Sequence, residues 1–241
     1  MENLSWTEFE REVKEKQTAI LPIGALEAHG PHLPLASDNY IAVYLATRLA
    51  ERISAFRLPL LPFGQVWSTA NYPGTVSLKE QTLISILKDI AQSLAAHGVK
   101  LLVLVNSHFG NLNAMKMAAR EVMETTDIKC LIFTHPGLKE AAGKYTTSQW
   151  CHPSYMHADE IETSMLLAIV PEHVKMELAV KEYPDFPIWF DYTPVRWEKV
   201  SSSGVLGDAT AATREKGEKI LADILDTMVE IYTQYRRDTD E

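Results

Sequence analysis

The sequence predicts an α/β protein in which a mostly parallel central sheet lies between layers of helices. Three observations carry that expectation. Four short apolar runs, at 18–23 (TAILPI), 58–63 (LPLLPF), 101–105 (LLVLV) and 128–133 (IKCLIF), are continuous rather than alternating and are bounded by turn residues, as strands buried on both faces are. Segments of helical period separate them. With 241 residues, 46% of them hydrophobic, the chain can bury the core that such layers need.

Taken in order, Ser5 followed three positions later by Glu8 is a capping-box signature for a short first helix over 5–14. After the first strand, Ile41, Tyr44, Leu45, Leu49 and Ile53 recur at spacings of three and four and predict a helix with one apolar face. A second helix is expected from Ser77, with Glu80 completing a capping box, through Leu83, Ile86, Leu87, Ile90 and Leu94 to a stop at His97-Gly98. A third follows Asn111 and carries Met115, Met117, Ala118, Val122 and Met123. Strand and helix thus alternate three times, which predicts parallel strands with helices over both faces. Further on, a helix is expected over about 158–169, closed by Pro171, and a long one over about 210–235. Between them, residues 181–203 are rich in aromatic residues and proline and lack periodicity, which suggests a structured excursion that covers a site or makes an oligomer contact. No repeat or linker divides the chain, so residues 1–241 are read as one domain, with disorder expected only at the polar end, 234–241.

The charge balance excludes some functions. A net charge of −9 without a basic block repels phosphate backbones, which argues against a nucleic-acid partner. No apolar stretch approaches the ~20 residues that span a bilayer, and the acidic, amphipathic start is unlike a secretion signal, so no membrane is expected and a cytoplasmic location is. Cys130 and Cys151, without CxxC spacing, read as two reduced thiols.

In an open parallel sheet, ligands bind where loops leave the carboxyl ends of the strands. The loop after the first strand runs through GALEAHGPHLPLASD, residues 24–38, and carries Glu27, His29, His32 and Asp38. The loop after the second run is GQVWSTANYPGTVS, and the one after the third is NSHFGN, centred on His108. Carboxylates and imidazoles without thiolates suit zinc, manganese or iron, and more than four of them suit two ions. Each also has a plainer reading. Asp38 is a natural N-cap for the helix that follows, His108 can be a hydrogen-bonded loop residue, and Glu27 a solvated charge.

These motifs resemble those of the creatininase (creatinine amidohydrolase) family. Its members open with G-x-x-E-x-H-G-P-H-L-P-x-x-x-D, which the 24–38 segment matches at every fixed position. The likeness continues in YPGTVSL at 72–78, N-x-H-x-x-N at 106–111, H-A-x-E-x-E-T-S at 157–164 and GVLGDATAATREKGEKI at 204–220. The resemblance implies a three-layer α/β/α sandwich, two divalent metal ions (zinc first, manganese or iron otherwise), hydrolysis of amide-type C–N bonds by metal-activated water, and assembly as a homo-hexamer. Carried over by position, Glu27 and His108 bind one metal, His29 the other, Asp38 bridges them, and His157 transfers a proton at the substrate. His32 is expected to orient a ligand from behind, and Trp67, Ser68, Phe109 and Trp150 to border the substrate pocket.

The departures shape what is expected further. Creatininase proper has a carboxylate ligand two residues after the N-x-H histidine, where this chain has Gly110. Glu162 is expected to replace it, with Glu160 second in line and otherwise a catalytic candidate beside His157; both also read as solvated charges favoured by a helix N-terminus. The second loop lacks the serine and histidine of G-x-S-x-E-H, and the tryptophan pair that encloses creatinine is unmatched, with Pro153 four residues before His157. The expected substrate is therefore a small amide, cyclic amide or formamide other than creatinine. Deformylation of a phosphate-bearing formylamino-pyrimidine, which would recruit Arg196, Lys199 or Arg214, the trimming of a short peptide, and a non-catalytic binding role are the alternatives.

Overall fold

A computed structural model describes residues 1–239. Helix α1 (Trp6–Glu12) starts at the predicted capping box, Ser5 accepting from the Glu8 amide while Glu8 accepts from the Ser5 amide at 2.7 Å. Strand β1 (Thr18–Ile23), helix α2 (Ser37–Ile53), strand β2 (Phe56–Arg57), helix α3 (Glu80–Ala96), strand β3 (Leu101–Asn106), helix α4 (Leu112–Thr125) and strand β4 (Lys129–Thr134) follow. The second half holds α5 (Leu138–Tyr145), α6 (Glu160–Ile169), β5 (Lys181–Glu182), β6 (Gly207–Asp208) and α7 (Arg214–Thr239). The main sheet is parallel, in the order β2-β1-β3-β4, and β5 and β6 form a separate antiparallel pair.

Because strand side chains alternate between faces, the continuous apolar runs feed two cores. Ile20, Val103, Val105 and Phe133 join residues of α2, α5, α6 and α7 on one face, while Leu21, Ile23, Leu102 and Leu104 join α3 and α4 on the other. Helices on both faces of a mostly parallel sheet give the α/β/α layering expected from the sequence. Ile23, Asn106 and Thr134 lie side by side in register, so β1, β3 and β4 end together and their loops leave from one edge. The chain passes from β1 outward to β2 and then back across to β3. The β1–β3 boundary is thus the switch point at which open parallel sheets form a crevice.

Some local expectations fail for identifiable reasons. The 58–63 run is not a strand: Pro59 and Pro62 cannot donate to a ladder, so only Leu58 and Leu61 donate to β1, at the carbonyls of Ile20 and Pro22. The Ser77 capping box does not form; Ser77 Oγ instead accepts from the Val66 amide, and α3 begins after Lys79. Asp38 does not cap α2, because Ser37 closes a turn on the Pro34 carbonyl and starts the helix one residue before it. A short turn at 209–211, capped by Asp208, delays α7 to Arg214, and α7 then runs through the polar end to Thr239. Of the residues expected to be disordered, 240 and 241 lie outside the described residues.

Candidate metal centre

The β1 loop turns at Gly30 (φ +64°), a left-handed conformation natural to glycine, and closes where the Glu27 amide donates to the Leu35 carbonyl. It thereby returns Asp38, in the first turn of α2, to Glu27 and His29. The two asparagines of N-x-H-x-x-N frame His108. Asn106 Nδ2 donates to the His108 carbonyl at 2.7 Å, and Asn111 Nδ2 donates to Asn106 Oδ1 and the Gly24 carbonyl, both at 3.0 Å. Asn111 Oδ1 accepts from the Gln65 amide, which ties the second loop to the third.

Glu162 arrives from α6. Asp159 caps that helix by accepting from the amides of Ile161 and Glu162, and Ala158, with φ +49°, donates its amide to Glu162 Oε2 at 2.5 Å. Burial pushes the Asp159 carboxyl up to about 7.

Three histidines share one arrangement, each with one ring nitrogen on a backbone carbonyl and the other turned toward carboxylates. His29 Nδ1 lies 3.0 Å from the Glu27 carbonyl and its Nε2 3.5 Å from Asp38 Oδ1. His108 Nε2 lies 2.8 Å from the Gln65 carbonyl, with Nδ1 at 2.8 Å from Glu27 Oε2 and 3.3 Å from Asp38 Oδ2. His157 Nε2 lies 2.7 Å from the Ala28 carbonyl and its Nδ1 4.0 Å from Glu162 Oε2. A carbonyl facing one nitrogen takes that nitrogen's proton as a hydrogen bond and leaves the other nitrogen as a lone pair, the arrangement metal-binding histidines use.

The electrostatics call for positive charge. Glu27, Asp38 and Glu162 are each no more than 4% exposed, and Asp38 Oδ2 has only the His108 ring beside it. Burial opposes a charge on His29, yet the facing Asp38 carboxylate outweighs it and raises the ring to about 10. His108 is raised in the same way, against its burial, by Glu27 and Asp38. Burial raises the Glu162 carboxyl, so this acid resists ionising unless a cation compensates it. Three sets of donor atoms each fall within 4.8 Å of one another: Glu27, Asp38 and His108; His29, Asp38 and Glu162; and Glu27, His29 and His157. Asp38 belongs to the first two.

The remaining predicted residues divide. Trp67, Ser68 and Phe109 border the cleft over this cluster. His32 is buried but bonds the Thr163 hydroxyl at 2.8 Å, so it braces α6 rather than contacting a candidate ligand. Glu160 is a correction: its carboxylate accepts from the Thr147 and Ser148 amides and from Lys216, away from the cluster. Trp150 is another. It packs on the core of α2, α6 and α7, with the Lys139 ammonium 5.9 Å from its ring, and does not border the cleft. The 181–203 segment covers the site, as one of its two readings held, through Phe190, Pro194, Val195 and Trp197. Sequence reasoning missed Trp197, whose ring stands edge-on to His157 at 5.2 Å, and Thr69, whose hydroxyl donates to Glu27 Oε1 from the position of the lost histidine. The aromatic density of the segment was the available signal for the first; nothing marked the second.

The family model of creatininase, described as creatinine amidohydrolase, matches residues 2–232. The chain belongs to the creatininase family. Among characterised members of that family it is 33% identical to creatinine amidohydrolase of Pseudomonas putida, over 90% of each chain. It is 30% identical to the mycofactocin precursor peptide peptidase of Mycobacterium tuberculosis, over 87% of this chain and 82% of that one. A crystal structure of creatinine amidohydrolase superposes with a TM-score of 0.86 at 31% identity, covering 98% and 96% of the two chains. A manganese creatininase (TM-score 0.83) and a zinc–zinc form of a creatininase variant (TM-score 0.86) match at 29% identity, each over 98% of this chain and 97% of the other.

Gly110 lies in close quarters beside His108. Any side chain at 110 would collide with His108 Nε2 and the Gln65 carbonyl, the two groups whose hydrogen bond orients His108. The Glu162 carboxylate lies within 4.8 Å of donor atoms of His29 and Asp38.

Proposed function

We propose that the protein is a metal-dependent amidohydrolase that cleaves a C–N bond of a small amide. The supporting observation is the pair of donor sets sharing Asp38. Glu27 and His108 with Asp38 would hold one divalent cation, and His29 and Glu162 with Asp38 a second. The donor set fits zinc or manganese, since it is all nitrogen and oxygen, deeply buried, and has one carboxylate, Asp38, common to two of the sets. Cations bound there supply an activated water nucleophile at neutral pH and Lewis-acid polarisation of a carbonyl.

The chain's own residues do the rest. Thr69 fixes Glu27, and the Gln65 and Glu27 carbonyls fix the rings of His108 and His29. His157 is held neutral: burial and then the nearby His29 lower it to about 4. Because its Nε2 proton is engaged by Ala28, Nδ1 is the basic atom. In this reading Nδ1 first accepts the nucleophile's proton and then passes it to the departing nitrogen, a role that contributes about 10²–10⁴-fold. No lysine or arginine is among the described residues lining the cleft, which favours an uncharged amide over a phosphate-bearing one.

The test is chelation followed by titration with zinc or manganese, read by bound-metal analysis and by turnover of small amides, lactams and formamides. Metal content near two equivalents should accompany restored turnover. Undiminished turnover by metal-free protein would refute the reading.

A further inference from the structure

Asn106 of β3 and Thr134 of β4 are paired in register, so the residues that follow them, Ser107 and His135, leave the sheet side by side. Ser107 lines the cleft beside the candidate ligand His108. It is 1% exposed, and its hydroxyl has no hydrogen-bond partner among the described residues. A buried hydroxyl left in that state works against folding, because it has given up water and gained nothing in return. Its neighbours are all engaged. Asn106 and Asn111 bond each other and the backbone around His108, and His108 is held by the Gln65 carbonyl.

The backbone that presents this hydroxyl is fixed on both sides. The Ser107 amide donates to the Ile23 carbonyl at 3.1 Å, and the Ser107 carbonyl accepts from His135 Nε2 at 3.3 Å. His135 makes that bond at φ +46°, a left-handed conformation that side chains seldom adopt and that costs energy unless the surroundings impose it. The ring is buried, with Phe109 of the cleft wall 6.1 Å away centre to centre. Strain on one side of the contact and an unbonded hydroxyl on the other thus meet at a single point of the cleft lining.

Resting on the amidohydrolase reading above, we infer that the Ser107 hydroxyl is a specificity-determining group that hydrogen-bonds an uncharged polar substituent of the amide substrate, close to the scissile carbonyl. Closeness follows from its place next to His108 in the chain, and lack of charge from the absence of lysine and arginine among the described residues lining the cleft. A site built around a buried hydrogen-bonding group rejects an analogue without the matching group, since binding it leaves the protein group unpaired. Because the Ser107 backbone is already fixed, its hydroxyl meets the substituent with little ordering left to do.

The experiment uses zinc-loaded full-length protein and two pairs of near-isosteric amides, glycolamide against propionamide and β-hydroxypropionamide against butyramide. Kinetics, dissociation constants from ligand titrations followed by NMR, and the melting temperature without substrate are measured for the wild type and Ser107→Ala. The wild type should prefer the hydroxyl-bearing member of at least one pair by about tenfold or more in kcat/KM. Ser107→Ala should abolish that preference, lowering use of the hydroxy-amide and raising use of its alkyl partner, a comparison that isolates the contact between the two hydroxyls. Its melting temperature should equal or exceed that of the wild type, since no internal bond is lost. Equal use of both members of both pairs by the wild type would overturn the inference. So would a preference that survives in the variant, or a fall in melting temperature of about 4 °C or more, which would mark the hydroxyl as a structural group satisfied by resident water. If no amide is hydrolysed, the amidohydrolase reading fails and binding decides for Ser107: tighter binding of a hydroxy-amide that Ser107→Ala removes upholds the inference, and no difference within either pair overturns it.

Discussion

Replacing Glu160 by Gln separates an anchoring role from a catalytic or ligand role for that carboxylate. Glu160 is fully buried at the start of α6, where it accepts from Ser148 N at 2.7 Å, Thr147 N at 3.0 Å and Thr147 Oγ1 at 3.1 Å, and pairs with Lys216 of α7. It thus joins the 146–148 turn to both helices. Burial opposes its charge, yet Lys216, Ser148 and Thr147 outweigh burial and lower the carboxyl from 4.5 to about 2. At about 1.4 kcal/mol per tenfold this corresponds to about 3 kcal/mol, which screening around the partly open Lys216 reduces to about 2 kcal/mol. The amide of Gln keeps one acceptor and turns a donor toward Lys216 and the two backbone amides. Glu160→Gln should therefore lower stability by about 2–3 kcal/mol, or the melting temperature by about 4–12 °C for a chain of this length. The effect depends on pH in a defined sense. The folded pKa lies below the unfolded one, so the wild type's advantage is complete above about pH 4.5 and fades as pH falls toward 2. Urea denaturation followed by circular dichroism at pH 7 and pH 4 measures the difference, and bound-metal analysis is run on the same samples. Metal loss in Glu160→Gln with unchanged stability would refute the anchoring assignment.

Other substitutions test the rest of the site. Glu162→Gln should lower bound zinc by about one equivalent while the protein stays folded, since it removes one charged donor from a set of three; two tightly held equivalents in the variant would show that Glu162 is not a ligand. Gly110→Glu, which restores the carboxylate of creatininase proper, should weaken metal binding and cost about 1–3 kcal/mol, because its side chain collides with the His108–Gln65 hydrogen bond; tighter zinc binding in that variant would contradict this. Gly217→Ala should destabilise by several kcal/mol without touching the site, as α7 packs there directly on the Ser164 carbonyl of α6, and thermal unfolding reports it.

What the sequence determined by itself was the layered fold and the heart of the centre. Strands buried on both faces are apolar almost throughout, so β1 and β3 announced themselves as continuous runs, and β4, half-buried at the sheet edge, kept enough of the pattern to be read as well. Glu27, His29 and Asp38 stand within twelve residues of one loop and helix start, a density of ligand-type groups that a simple connection does not require. The tertiary structure alone chose between Glu160 and Glu162. On a helix, residues two apart face away from each other, so only one of them could turn to the cluster, and where α6 begins and what packs on it decided which. It also decided that Asp38 enters the first turn of α2 instead of capping it, a matter of one residue set by the Ser37–Pro34 turn. Trp150 and Trp197 differ in the same way: both are aromatic residues in irregular segments, and only the path of the chain places one, half-buried, against the outside of the core and the other against His157. Thr69 carried no signal at all. Its role depends on meeting Glu27, 42 residues away in the chain, and a contact of that kind exists only once the sheet has brought the two loops to one edge.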